Sequence, residues 1–471
     1  MKFSKMYFVA LSAFALAACD SDNNNNDIFS DAPPTPTGTV QVVHASPDAP
    51  PVNVIVNGTT IAAGADYGQT TTRRTVIAGL NSVQVDAIQP GGAVLEGAFP
   101  ATDVDFGANT ITQIVAVGPV TVPLGVAIVT KPDVAPSAGM ARVSVLHGID
   151  GPGGLPVDIY VDAYAEPNVA VGTSAPIQLD FMQSTPDPVE LMPGNYQVRI
   201  TGRDDLTPLY DSGSVELTEG LDVTVAAIPN VDGGLSPATL LAISATGATE
   251  IFDVGTPTGL RIGHLSPDTD PVDIYVNEAL FLNDVPYPAI TDIIALPADT
   301  YTVSITDGID ANEVLLPPTD LDLAAGTVYT ALATGFNADL AVDILADDDP
   351  RPVALYAKVR IIHAAPNPAA ASVDIYLLDP ALQGDLTGQT PALAGVAFGD
   401  NTGYLPIATD METGIGMYDV FVTIADTETV AISGSVMVAN NFAYTVIARD
   451  PVPGSQEFGL EVLVDVVNEE T

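Results

Sequence analysis

The sequence predicts an all-β protein, built as four tandem antiparallel β-sandwich domains joined by short linkers. Three observations predict it. The 471 residues hold 40 Gly and 39 Pro, no Trp, and much Val, Thr and Ile, the profile of short strands separated by turns. Four segments open alike: VQVVHASPDAPPVNVIVNG from Val40, ARVSVLHGIDGPGGLPVDIYVD from Ala141, LRIGHLSPDTDPVDIYVN from Leu260 and KVRIIHAAPNPAAASVDIYLL from Lys358. The histidines of these openings are 99 to 117 residues apart. That period is too long for a propeller blade or solenoid unit and suits a whole sandwich domain.

Each opening is an alternating apolar strand ending in His, a Pro/Gly/Asp turn, and a second alternating strand. Later in each copy a turn feeds another strand, near Val83, Tyr196, Tyr301 and Tyr418. Near the end comes a strand carrying Thr, at Thr112, Thr224, Thr330 and Thr445, 66 to 82 residues after the His. The order holds in every copy, which marks internal duplication of an immunoglobulin-like unit. The copies are placed at 39–130, 140–246, 259–346 and 357–468, with Pro-bearing linkers around 131–139, 247–258 and 347–356. Asp347-Asp348-Asp349 reads as a charged linker. The apolar run 110–129 suggests a membrane helix, but Gly118, Pro119, Pro123 and Gly125 break one, so two buried strands are expected.

The start of the chain carries an address. Residues 1–18 have a positive beginning (Lys2, Lys5) and an apolar stretch of signal-peptide length. Leu16-Ala17-Ala18-Cys19 looks like a bacterial lipobox, in which the cysteine is acylated and becomes the mature amino terminus. Cys19 is the chain's single cysteine, which also excludes an intrachain disulfide and a thiolate zinc site. Residues 19–38 are polar, acidic and Pro-rich, as a disordered tether would be. An exported lipoprotein of the cell envelope is expected, held to the inner or outer membrane through Cys19. The net charge of −46, from 13 Lys plus Arg against 59 Asp plus Glu, repels phosphates and excludes nucleic acid as a partner.

These openings resemble the bacterial domain of unknown function family 4397, with its strand–His–Ala–Ser–Pro–Asp turn, Val-Asp-Val-Tyr-like strand and later Ala-Gly-x-Tyr-Thr strand. The nearest matches are His44-Ala45-Ser46-Pro47-Asp48 and Val272-Asp273-Ile274-Tyr275. The second copy departs most, with Gly148-Ile149-Asp150, and the first has Asn53 and Ile55 where the others have Asp and Tyr. The resemblance implies sandwich-like repeats in an envelope protein and no established activity.

All four histidines, His44, His147, His264 and His363, occupy one equivalent position at the end of the core-facing row. Packing beneath the following turn, with hydrogen bonds to its backbone, is the expectation; metal binding or acid–base catalysis is the alternative. A zinc site needs three or four convergent ligands, and each copy offers one His. The second strand places Asn53, Asp158, Asp273 and Asp374 on the outward face, where they brace a neighbouring strand or meet a ligand. Calcium is the better metal candidate, through Asp268, Asp270 and Asp273, although no EF-hand is present; no other cofactor is expected. No nucleophile elbow, zincin motif, P-loop or dinucleotide fingerprint occurs, so no catalytic residue and no enzyme are expected. Two functions stay open: a structural or adhesive module meeting an envelope or extracellular protein or polymer, and a binding module for a small ligand, carbohydrate or calcium at the His–turn–Asp region.

Overall fold

The computed structural model describes residues 35–120, 125–150, 156–165, 170–231, 235–310, 312–347 and 349–467. The expected signal peptide, Cys19 and most of the tether lie outside the described residues. Among the described residues there are strands and short 3-10 turns but no α-helix, and no helix is long and apolar enough to cross a membrane.

The first repeat shows the plan. Its strands are β1 (Thr37–Ala45), β2 (Val52–Val56), β3 (Thr59–Ala65), β4 (Arg74–Ile77), β5 (Gly79–Ile88), β6 (Val94–Phe106), β7 (Thr110–Val117) and β8 (Gly125–Pro132). They form two sheets, β4-β1-β7-β8 and β3-β2-β5-β6. Alternation sends Val40 and Val42 of β1, Val52, Val54 and Val56 of β2, Val83 and Val85 of β5 and Ile114 of β7 into one core between the sheets. Every pair is antiparallel except β1–β7, which runs parallel over Thr39–Ala45. The chain crosses to the second sheet and back before β7, and such a crossover is what a parallel pair requires. The same two four-stranded sheets, with the same parallel pair, recur in the third and fourth repeats; the second has five strands in each sheet.

Three expectations move. Thr37 and Gly38, placed at the end of the tether, already belong to β1. Residues 247–258 are not all linker, because Ala248–Ile251 is a strand paired with Ala238–Ile243, so the second repeat runs past residue 246. Ser244 and Gly247 close the tight turn between them (2.8 Å backbone bond), which a reading of Gly and Pro as punctuation takes for a boundary. The third change is one of register. His147 lies opposite Ala227, His264 opposite Ala333 and His363 opposite Ala448, which puts Thr224, Thr330 and Thr445 at one equivalent position. In the first repeat that position is Gln113, opposite Gln41, and not Thr112. A slip of one residue turns a side chain to the opposite face of the sheet.

The repeats do not hang as separate beads. The sheet carrying the His strand is buried on both faces: all seven residues of Ala141–His147 and of Ala357–His363 are buried. Its outer face in the first repeat, Val43, Ala45, Val115 and Val117, packs on Leu146, Ala226, Ile228 and Leu241 of the second. Leu265 and Leu332 of the third pack in the same way on Ile362, Ala364 and Ile447 of the fourth. Repeats one and two, and repeats three and four, thus form two four-layered pairs. Each buried Val, Leu or Ile in such a seam contributes about 1.5–3 kcal/mol.

Candidate functional site

The His–turn–Asp region is where the repeated polar residues gather. The four rings are 0–2% exposed. In the first repeat the Ser46 amide donates to His44 Nδ1 (3.4 Å), and Nε2–H donates to the Pro50 carbonyl (3.1 Å). In the fourth, the Ala365 amide donates to His363 Nδ1 (3.3 Å) and Nε2–H donates to the Ala370 carbonyl (2.7 Å). The tautomer follows from these partners. The His264 ring lies near the backbone of Asp270 and Thr269 without a hydrogen bond of good geometry. Burial lowers the pKa of His264 and His363, and takes His44 to about 4 with the help of the Arg351 guanidinium, so these rings are neutral at pH 7.

Two further constants belong to this region. Each ring meets an aromatic edge: His44–Tyr67, His147–Phe181, His264–Tyr287 and His363–Phe398, with centroids 6.3–6.4 Å apart and planes at 79–87°. Four residues beyond that aromatic stands a Thr whose Oγ1 accepts the amide two residues before the His. The pairs are Val42–Thr71, Val145–Thr185, Ile262–Thr291 and Ile361–Thr402, at 3.0–3.1 Å. The sequence carries both signals, as aromatic-x-x-x-Thr after each His, but the varying distance from the His hides them.

The outward acids are turned to backbone. Asn53 Oδ1 accepts the Gly64 amide (3.0 Å), Asp273 Oδ1 that of Asp284 (2.8 Å) and Asp374 Oδ1 that of Gly395 (2.8 Å). Gly64, Asp284 and Gly395 have φ of 64°, 52° and 66°, and the ladder shifts register there. The side chain therefore caps the amide that a bulge leaves unpaired. In the second repeat the corresponding ladder, Val157–Ala163 with Ile177–Leu179, has no shift, and Asp158 takes the Gln178 side chain (2.9 Å) and the Asp204 amide (3.1 Å). The calcium candidate does not assemble. Asp268 Oδ1 accepts the Asn337 amide (2.7 Å), Asp273 faces Asp284, and Asp270 is exposed. Among the described residues no three His, Cys, Asp or Glu side chains converge as a metal set.

Charge chemistry lies elsewhere, in the seams between paired repeats. Asp347 is not a solvated linker acid. Its side chain is fully buried against Arg360, itself fully buried, whose guanidinium also donates to Thr330 (3.1 Å) and Thr445 (2.8 Å). Burial raises the Asp347 carboxyl to about 6 against the pull of Arg360. Asp348 lies outside the described residues. Beside this pair Arg261 meets Asp465, which also accepts from Thr445 (2.6 Å) and Tyr404 (2.7 Å). In the other seam, Asp222 receives Lys131 (3.0 Å), Arg142 (2.8 Å) and Arg73 (3.3 Å), while Gln113 donates to Gln41 (2.9 Å). Arg351, ahead of the fourth repeat, stands over the Tyr67 ring at 5.1 Å and donates to the Pro47 and Ala49 carbonyls and to Asp66. Every described Lys and Arg except the exposed Arg74 has a carboxylate within ion-pair distance.

The duplicated His–turn–Asp unit matches the family model described as Domain of unknown function (DUF4397), over residues 38–152 and 258–376. The chain belongs to this family. Both DUF4397 matches start at an odd-numbered repeat and run into the opening of the next, in step with the pairing of the repeats. No curated protein matches the chain. Among solved structures, a leucine-rich repeat protein from Bacteroides thetaiotaomicron is 15% identical, covers 40% of this chain and 25% of its own, and has a TM-score of 0.12. The chain thus spans about a quarter of that protein. A putative adhesin from Bacteroides ovatus is 11% identical, covers 46% of this chain and 95% of its own, and has a TM-score of 0.14. Superpositions this poor carry no argument about this DUF4397 protein.

Proposed function

We propose that this chain is a non-catalytic structural or adhesive protein of the bacterial cell envelope, tethered through acylated Cys19 and presenting an acidic surface to a protein or polymer partner. One observation carries the reading: the polar groups repeated in every copy are consumed by the fold. The buried His44 and His363 rings bond turn carbonyls, Asn53, Asp273 and Asp374 cap bulges, Asp158 bonds Gln178 and the Asp204 amide, and the described cations other than Arg74 sit in ion pairs. The lipobox and the tether supply the address. What faces outward is then nearly all carboxylate and neutral, which suits a partner that is cationic or bridged by cations.

The test compares the wild-type strain with a deletion strain and a Cys19→Ser strain. The wild-type protein is expected in the membrane fraction and the Cys19→Ser protein in the soluble fraction, with surface attachment reduced in both mutant strains. Attachment unchanged in the deletion strain, with no partner retained in a pull-down on the purified chain, overturns the proposal.

A further inference from the structure

The interior of the fourth sandwich is not filled. Between its two sheets lies a cavity of 270 Å³, against 90 Å³ and 40 Å³ for the corresponding spaces in the third and second repeats. Protein cores pack as tightly as organic crystals, and a void of about 150 Å³ lined by Leu, Ile and Phe stays dry and takes up benzene. Scaled from that case, 270 Å³ holds roughly ten non-hydrogen atoms.

The walls define the chemistry of an occupant. Val359, Ile361, Ile375, Val420, Val438 and Val446 form the inner surface, and no charged residue lines it. The polar atoms of the two tyrosines in the wall are already engaged: Tyr418 Oη donates to the Ala408 carbonyl (2.6 Å), and Tyr444 Oη accepts the Ala439 amide (3.3 Å). Part of the space has a sequence origin, because Val359 stands four residues before its His where the third repeat has Leu260. Met437 and Val462, on the last strands of the two sheets, also line the cavity and are 63% and 52% exposed, which gives a route from outside.

We infer that the fourth repeat binds a neutral apolar molecule the size of a medium hydrocarbon chain, inside its sandwich. A charged head group finds no partner in the wall, and an anionic one is also repelled by a chain of net charge −46. This site is independent of the envelope role and of the His–turn–Asp regions.

Differential scanning calorimetry of the full chain, with n-octanol and with n-octanoate, tests the inference. n-Octanol is expected to raise a melting transition by several degrees, and n-octanoate to have little effect. Val446→Phe fills the space and is expected to abolish the n-octanol response, with Val438→Leu as a milder variant should the first fail to fold. Val342→Leu, in the smaller cavity of the third repeat, is expected to leave it intact. No shift with n-octanol, or a full shift in both filling variants, overturns the site; equal shifts with the two ligands overturn its preference for a neutral molecule.

Discussion

The seam between repeats one and two and the seam between repeats three and four use the same sheet face and solve its polar problem with opposite charges. Lys131 lies opposite Ile111 at the end of β8, and Asp347, bonded to the Val328 carbonyl, occupies the equivalent place in the third repeat. In the first seam that cation joins Arg142 and Arg73 around the single carboxylate of Asp222. In the second, the acid meets Arg360, and Arg261 pairs with a second carboxylate, Asp465. Matching the wrong repeats would set Lys131 toward Arg360 or Asp347 toward Asp222. Apolar residues drive both seams together; the charges tell each repeat which neighbour it fits.

The largest effect is expected from breaking the second seam. Asp347→Ala leaves the fully buried Arg360 without its carboxylate, and an arginine cannot shed its proton, so about 3–5 kcal/mol of stability is lost in urea denaturation. Asp222→Ala strands more cations yet costs less, about 2–4 kcal/mol. Burial already lowers the Lys131 pKa, so that ammonium can become neutral, and Arg142 keeps the Pro132 carbonyl (3.1 Å). The double replacement Arg360→Met with Asp347→Leu should return to within about 1–2 kcal/mol of wild type, because it removes both charges together. Equal losses for Asp347→Ala and Asp222→Ala would refute the contrast.

Acid should separate the repeats next. The His44 pKa is about 4 in the folded chain and near 6.5 when unfolded, so between those values the unfolded chain binds more protons. The stability this ring provides is complete above about pH 6.5 and is lost as pH falls toward 4, a change of about 3 kcal/mol. Asp347, raised to about 6, works the other way and loses stability as pH rises from about 4 to 6, so the wild-type profile is flattened. The informative quantity is therefore the gap between wild type and His44→Leu, which should narrow from pH 7.5 to pH 4.5. His264→Leu should show a smaller change, because no guanidinium adds to the shift of that ring. A gap that stays constant with pH removes the buried neutral imidazole from the account.

The sequence shows the unit well and the pairing of units poorly. Strict alternation reads as one buried face and one wet face, and in the first His strand the two rows are Val40, Val42, His44 and Gln41, Val43, Ala45. Gln41, Ser144, Arg261 and Arg360 occupy the second row, where polar side chains ordinarily mean water. They are buried because a second sheet lies over them. A clue was present: in a chain so poor in cations, Arg142, Arg261, Lys358 and Arg360 stand within the His strands. Asp347 misleads for a related reason, since three consecutive acids look like a solvated run unless the buried guanidinium opposite is known. The Thr at four residues past each aromatic was legible in principle, but insertions place the aromatic at unequal distances from the His.

Those threonines make a test that should not distinguish the two pairs. Thr71→Val and Thr402→Val each remove one acceptor for a strand amide while keeping the shape, at about 1–2 kcal/mol. Near-equal losses mark the contact as part of the common unit; a loss in one repeat alone would tie it to the seam.

The smallest effect returns to the seams through the aromatic beside each His. It is Tyr in repeats one and three and Phe in two and four, and each hydroxyl crosses its seam: Tyr67 donates to the Pro229 carbonyl (2.8 Å) and Tyr287 to the Asp450 carbonyl (2.6 Å). The ring is needed in all four copies to meet the imidazole edge, and the hydroxyl only where the copy leads a pair. Tyr67→Phe and Tyr287→Phe should therefore leave the His environment intact and weaken only the seam, by about 0.5–1.5 kcal/mol. Tyr287→Phe should cost the less of the two, because the Asp450 carbonyl keeps the Arg449 guanidinium as a donor (3.0 Å). Imidazole shifts in NMR spectra that move as far as the stability does would mean that the hydroxyl supports the repeat itself and not its pairing.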